Sequence, residues 1–157
     1  MEPIRDETEA ERLDRNWLEL IQELRVAQTG IQVLAGFLLT LPFSSRFGDL
    51  SDWHRVVYLV AFTLAVITVG LMTAPVALHR LLFGRHAKDV LVRVGAVFAK
   101  SGMATMGLTL VAVVLLIFGV VVNNTAGIVA GAAVLVFYVS AWVLLPLSLL
   151  RSGTRPS

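Results

Sequence analysis

The sequence predicts an all-α protein, an integral membrane four-helix bundle with cytoplasmic extensions of helices 1 and 3. Three observations carry that expectation. Of the 157 residues, 57% are hydrophobic and 15% charged, with mean hydropathy +0.80, whereas a soluble domain carries about 25% charged residues. Residues 56–78, 101–122 and 126–150 are apolar runs without a single charge, each long enough to supply the roughly 20 residues that cross a hydrocarbon core of about 30 Å. The charges are also segregated. Residues 1–25 carry eight acidic and four basic side chains, and the rest of the chain nine basic and three acidic.

Taken in order, residues 1–10 read as an acidic cytoplasmic tail, 11–150 as one four-span membrane domain, and 151–157 as a short cytoplasmic C-terminal tail. A secretory signal needs a basic start and an early apolar stretch. This chain opens acidic and turns apolar only around Val26, so the N-terminus is expected to be retained. Span one, 26–43, is the least apolar because it contains Gln28, Thr29 and Gln32. No glycine or proline interrupts 11–29 and the residues are good helix formers, so one helix is expected over 11–41, reaching about 46 Å at 1.5 Å per residue. Pro42 with Ser44 and Ser45 ends it, and Ser51-Asp52 offers an N-cap for span two, 56–78. Pro75 predicts a kink near the far end of that span, and Gly84 a stop. The third helix is expected from His86 or Ala87 to Val122. Asn123-Asn124-Thr125 forms the turn into span four, 126–150, whose last turns Pro146 disturbs.

The front of helix three is amphipathic, with His86, Asp89, Arg93 and Lys100 within an arc of about 60° at helical spacing. It could lie flat on anionic headgroups or pack against the front of helix one. The lack of a breaker between it and the span favours packing. Orientation follows from Lys and Arg, which are held on the cytoplasmic side. Four lie before span one (Arg5, Arg12, Arg15, Arg25), five between spans two and three (Arg80, Arg85, Lys88, Arg93, Lys100) and two after span four (Arg151, Arg155), against Arg46 and Arg55 on the other side. Both termini are therefore expected in the cytoplasm.

Helix one carries the candidate site. At 100° per residue Gln22, Arg25, Thr29 and Gln32 share an arc of about 80°, with Gln28 beside it and Glu19 and Glu23 on a second polar arc. Polar groups at membrane depth avoid lipid, so this stripe is expected to face protein or water. As a polar pathway, within one bundle or around the axis of an oligomer, the amides and hydroxyl would supply donors and acceptors, with Glu19, Glu23 and Arg25 at the cytoplasmic mouth. The alternative is interhelical hydrogen bonding, worth about 0.6 kcal/mol per contact. Arg80, Arg85, Lys88, Arg93 and Lys100 are candidate contacts for anionic lipid or an acidic partner, the N-terminal tail included.

Other signals are structural in character. Gly127 with Gly131, and Gly70 with Ala74, allow close backbone approach, here expected within the chain. Thr105, Thr109, Tyr138 and Ser140 are expected to find backbone or neighbouring partners. His79-Arg80 reads as an interfacial anchor, and Trp53 and Tyr58 as an outer aromatic belt. Without cysteine there is no disulfide, thiolate metal site or cysteine nucleophile. No GxSxG, HExxH or phosphate-binding glycine loop occurs, so neither enzymatic activity nor a cofactor or metal is expected. The basic residues flank apolar runs rather than forming a face interleaved with aromatics, which excludes nucleic acid as a partner. The expected partners are the lipid bilayer and further copies of the chain.

Residues 15–32 (RNWLELIQELRVAQTGIQ), 37–43 (FLLTLPF) and 74–80 (APVALHR) resemble the signature of a family of small four-span bacterial membrane proteins of unknown function. The resemblance implies a bacterial inner-membrane location and brings no established activity, although similar chains carry the label sodium:proton antiporter. A proton-coupled carrier normally exchanges its ion on a buried ionisable group, and no Asp or Glu lies inside a span here. The same absence counts against the small multidrug exporters, with their membrane-embedded glutamate. Two functions remain in view: an oligomeric channel-like or ion-transport protein using the polar stripe, and a membrane interaction or regulatory module acting through its acidic tail and basic loop.

Overall fold

Thr8 opens the first helix with a reciprocal cap. Its N–H and its hydroxyl donate to Glu11 Oε2 at 2.9 and 2.8 Å, and the Glu11 N–H reaches back to Thr8 Oγ1 at 3.4 Å, the T-x-x-E arrangement that satisfies donors left open at a helix start. In the computed structural model, which describes residues 8–82 and 88–152, α1 then runs unbroken over Glu9–Thr40. Its 32 residues measure about 48 Å, well beyond a hydrocarbon core of about 30 Å. Pro42 ends it in a 3-10 turn, Leu41–Phe43, and a second such turn, Phe47–Asp49, completes the connection.

Helix α2 spans Asp52–Leu82. Ser51 caps it, its oxygen accepting the His54 N–H at 3.4 Å and lying 2.8 Å from His54 Nδ1. The helix continues through Pro75, whose ring is buried. Helix α3 covers Lys88–Val121; the expected stop at Gly84 and start at His86 or Ala87 lie outside the described residues. Asn123 caps α4, Asn124–Val139, by accepting the Ala126 N–H at 2.9 Å. A π turn, Ser140–Leu144, follows, in which the Leu145 N–H bonds Ser140 O, and α5, Leu145–Ser152, carries the segment on. The expected disturbance thus falls just ahead of Pro146. Proline cannot donate to the Trp142 carbonyl and its ring would crowd that oxygen; widening the preceding turn relieves both.

The described residues fall into two compact units. One combines residues 8–37 with 65–82 and 88–105. Its buried residues recur at helical spacing: Leu24 and Ile31 on α1, Ala65, Thr68, Met72 and Pro75 on α2, and Leu91, Gly95, Ala99 and Gly102 on α3. Small residues set the spacing here. A Cβ on Gly95 would stand 3.0 Å from the Trp17 ring and 3.1 Å from Leu20, and one on Gly102 2.9 Å from Met72. The front of α3 therefore packs against α1 rather than lying apart from it. The Trp17 ring also stacks on His79 at 5.5 Å, which gives His79 a packing role in this unit. Buried Thr68 donates to Thr105 Oγ1 at 2.9 Å, and the Thr105 hydroxyl bonds the carbonyls of Ser101 and Gly102.

The other unit combines residues 38–64 with 106–152. Helices α3 and α4 cross in it at glycines: a Cβ on Gly127 would meet the Leu115 carbonyl oxygen at 2.6 Å and Gly119 Cα at 2.9 Å, and one on Gly131 would meet Leu115 Cβ at 3.2 Å. The Gly127/Gly131 pair therefore serves packing within the chain. Gly70 does not, since nothing lies within 4 Å of its would-be Cβ; its half of the second small-residue pair faces outward. Trp53 is half exposed, as a belt residue should be, but Tyr58 is only 4% exposed. Its hydroxyl donates to Leu38 O at 3.0 Å. That carbonyl would ordinarily bond the amide four residues on, which is Pro42 and has no N–H, so Tyr58 supplies the missing donor and turns inward instead of joining the belt.

Candidate functional site

Helix α1 presents its two long faces very differently. The buried seam follows Leu24, Ile31 and Leu38 at seven-residue intervals. Gln22, Arg25, Thr29 and Gln32 are exposed on the opposite side, Gln28 sits half-buried at its edge, and Glu19 and Glu23 are exposed on the other flank. The polar stripe is therefore an exposed face of this helix, turned away from its buried seam. The reason is packing: Leu24, Ile31 and Leu38 form an uninterrupted apolar ridge, and burying amides in their place would have required partners for each.

Thr29 satisfies its own hydroxyl by donating to Arg25 O at 2.9 Å. Gln22, Gln28 and Gln32 make no side-chain hydrogen bond among the described residues. Glu19 lies 3.8 Å from Arg15 with both side chains exposed, an ion pair worth little. Beside the stripe the exposed surface turns apolar, with Val26 at 78% and Phe37 at 69% exposure and Gly30 among them, while Gly36 falls within the stripe; neither glycine has anything within 4 Å of a would-be Cβ. It is a mixed face, grooved where the glycines fall.

Of the basic candidates, Arg80, Arg93 and Lys100 are exposed in the same unit as this face. Arg85 lies outside the described residues, and so does the surrounding of the Lys88 side chain at the start of α3. Among the described residues no group of three or more His, Asp or Glu side chains could hold a metal ion.

A second feature was not singled out by sequence reasoning. In the unit containing the 41–51 connection an open cleft of about 220 Å³ is walled by Leu41, Phe47, Tyr58, Leu116 and Val120, with Ser44 and Arg46 its polar members. The Phe47 ring stands edge-on to Tyr58 at 5.1 Å. The available signal was slight: Arg46 is one of two basic residues that the charge count puts on the non-cytoplasmic side, and it stands between Phe43 and Phe47.

Large Val, Leu, Ile and Phe side chains are exposed along every long helix among the described residues. A soluble monomer rarely shows a contiguous apolar patch beyond a few hundred Å². Four helical segments, Glu11–Phe43, Asp52–Leu81, Val90–Val121 and Asn124–Arg151, are long and apolar enough to cross a membrane. Together these features define a multi-pass membrane protein. Residues 6–146 match the family of unknown function DUF6328, and the chain belongs to that family. Comparison with curated proteins and with solved structures finds no match.

Proposed function

We propose that the protein is an oligomer whose α1 outward face meets a second copy of the chain and lines a polar, channel-like path for ions, with both termini on the cytoplasmic side of a bacterial inner membrane. The observation that carries this reading is the outward exposure of Gln22, Arg25, Thr29 and Gln32 opposite the seam of Leu24, Ile31 and Leu38. An amide left without a partner in hydrocarbon costs several kcal/mol, so lipid is a poor neighbour for Gln32, and water or another copy is a good one. Gly36, within the stripe, has open space around it and allows a second backbone to come close there. In that arrangement the glutamines bond across copies or to water, and Glu19, Glu23 and Arg25 set the charge at the mouth. A channel-like path fits better than proton-coupled exchange, because the spans hold no carboxylate.

The absence of cysteine makes single-cysteine variants clean probes. Val33→Cys is expected to cross-link between copies in the bilayer, whereas Val66→Cys, exposed on α2, is not. In liposomes, Gln28, Thr29 and Gln32 changed together to leucine should abolish the wild-type ion flux. Flux unchanged in that triple variant, or a monomer in the bilayer, overturns the proposal. Absence of flux at any pH, with copurification of a partner that depends on residues 1–25, would establish the regulatory-module reading instead.

A further inference from the structure

Two arginines occupy the segment that joins α1 to α2 and the start of α2, and they are used differently. Arg55 donates to Gly48 O at 2.7 Å and lies 3.7 Å from Asp52, so it holds the connection together. The Arg46 side chain is exposed and makes no hydrogen bond or ion pair among the described residues. It stands instead on the cleft, as its only charged member, beside Ser44. Asp49, in the same connection, is not part of the lining.

The shape and the chemistry select the occupant. At about 220 Å³ the cleft is smaller than the roughly 300–1,000 Å³ sites that enclose a drug-sized ligand, and it is open, so it takes part of a longer molecule whose remainder lies outside. Its walls are aliphatic and aromatic, and its one cation is a guanidinium, whose fork of donors matches phosphate oxygens. It lies where spans one, two and three end. We infer that this cleft holds an acyl chain of an anionic phospholipid, with the lipid phosphate on Arg46 and Ser44. Leu116 and Val120 on α3 and Tyr58 on α2 form the seat for the chain. Tyr58 acts through its ring, because its hydroxyl is committed to Leu38 O. The site is independent of the α1 outward face.

The test uses the full chain in non-ionic detergent, titrated with phosphatidylglycerol or phosphatidylcholine, with bound lipid counted by native mass spectrometry. Wild type should retain phosphatidylglycerol in preference to phosphatidylcholine. Arg46→Gln, an exposed position whose change leaves the walls intact, should reduce that preference about tenfold, the scale of one charge-assisted hydrogen bond, because the choline ammonium already offsets the phosphate charge in phosphatidylcholine and the loss falls mainly on phosphatidylglycerol. Val121→Trp, also exposed and at the edge of the cleft, should lower retention of both lipids with helicity unchanged. Arg46→Gln with undiminished preference overturns the proposal, because the selectivity then comes from Arg80, Arg93 or Lys100. Two further results overturn it as well: wild-type retention by Val121→Trp, and complete displacement of lipid by inorganic phosphate, which would make this a simple anion site.

Discussion

At the scale of single residues, the structure is governed by polar groups that must find partners in an apolar surrounding. The Leu38 carbonyl loses its helical donor to Pro42 and recovers one from Tyr58 at 3.0 Å. Tyr58→Phe leaves that oxygen unsatisfied, which costs about 1–3 kcal/mol; reversible unfolding in mixed micelles should register the loss. Thr68 and Thr105 are a milder case. Each hydroxyl has a local alternative, because a threonine in a helix can bond a carbonyl of its own preceding turn, as Thr105 does to Ser101 and Gly102. A double-mutant cycle with Thr68→Val and Thr105→Val should therefore return a coupling near the about 0.6 kcal/mol typical of membrane helices. Pro42 and the threonines are legible as residues of this kind in the sequence. That Tyr58, twenty residues from Leu38, is the donor is not, since it depends on how α2 returns along the end of α1.

Elements follow the sequence closely in extent and less closely in facing. The ends of α1, α2 and α4 coincide with Pro42, Ser51 and Asn123, residues that each act on the backbone within one turn. The two small-residue pairs look alike in sequence and part company in the fold. Gly127→Ala drives a Cβ to 2.6 Å from a backbone oxygen that cannot move aside, so it should destabilise by about 1–3 kcal/mol. Gly70→Ala meets nothing within 4 Å and should be neutral, or stabilising by up to about 1 kcal/mol from helix propensity. Thermal unfolding of the two variants side by side distinguishes the cases. The π turn at Ser140–Leu144 is attributable to Pro146. Pro146→Ala should restore regular helix there, read as a protected amide at position 146 in hydrogen exchange.

At the scale of the whole molecule the solvent decides. Apolar side chains turned outward on all four spans are stable only against lipid, and the polar face of α1 is stable only against water or protein. The Lys and Arg count sets the expected orientation. Cysteines placed singly at Thr8 and at Ser45 should react with a membrane-impermeant maleimide from opposite sides, Ser45→Cys from the outside of intact cells and Thr8→Cys only after permeabilisation. Labelling of both from one side would refute the assignment.

The number of long apolar helices and the segregation of charge could be read from the sequence alone, because each depends on residues adjacent along the chain: about 20 apolar residues make a segment of spanning length whatever it packs against. The polar stripe on α1 was legible for the same reason, as a helical period. Its direction was not. Val26, Val33 and Phe37 are as apolar as Leu24, Ile31 and Leu38, so hydropathy could not choose between the faces. The tertiary structure decided, because Gly95 leaves room at the front of α3 for Trp17 and Leu20, on the same side of α1 as the Leu24–Ile31–Leu38 seam, and the amides are left outside. The cleft at Arg46 was decided the same way: its walls come from residues 41–58 and 116–121, distant along the chain and joined only by packing.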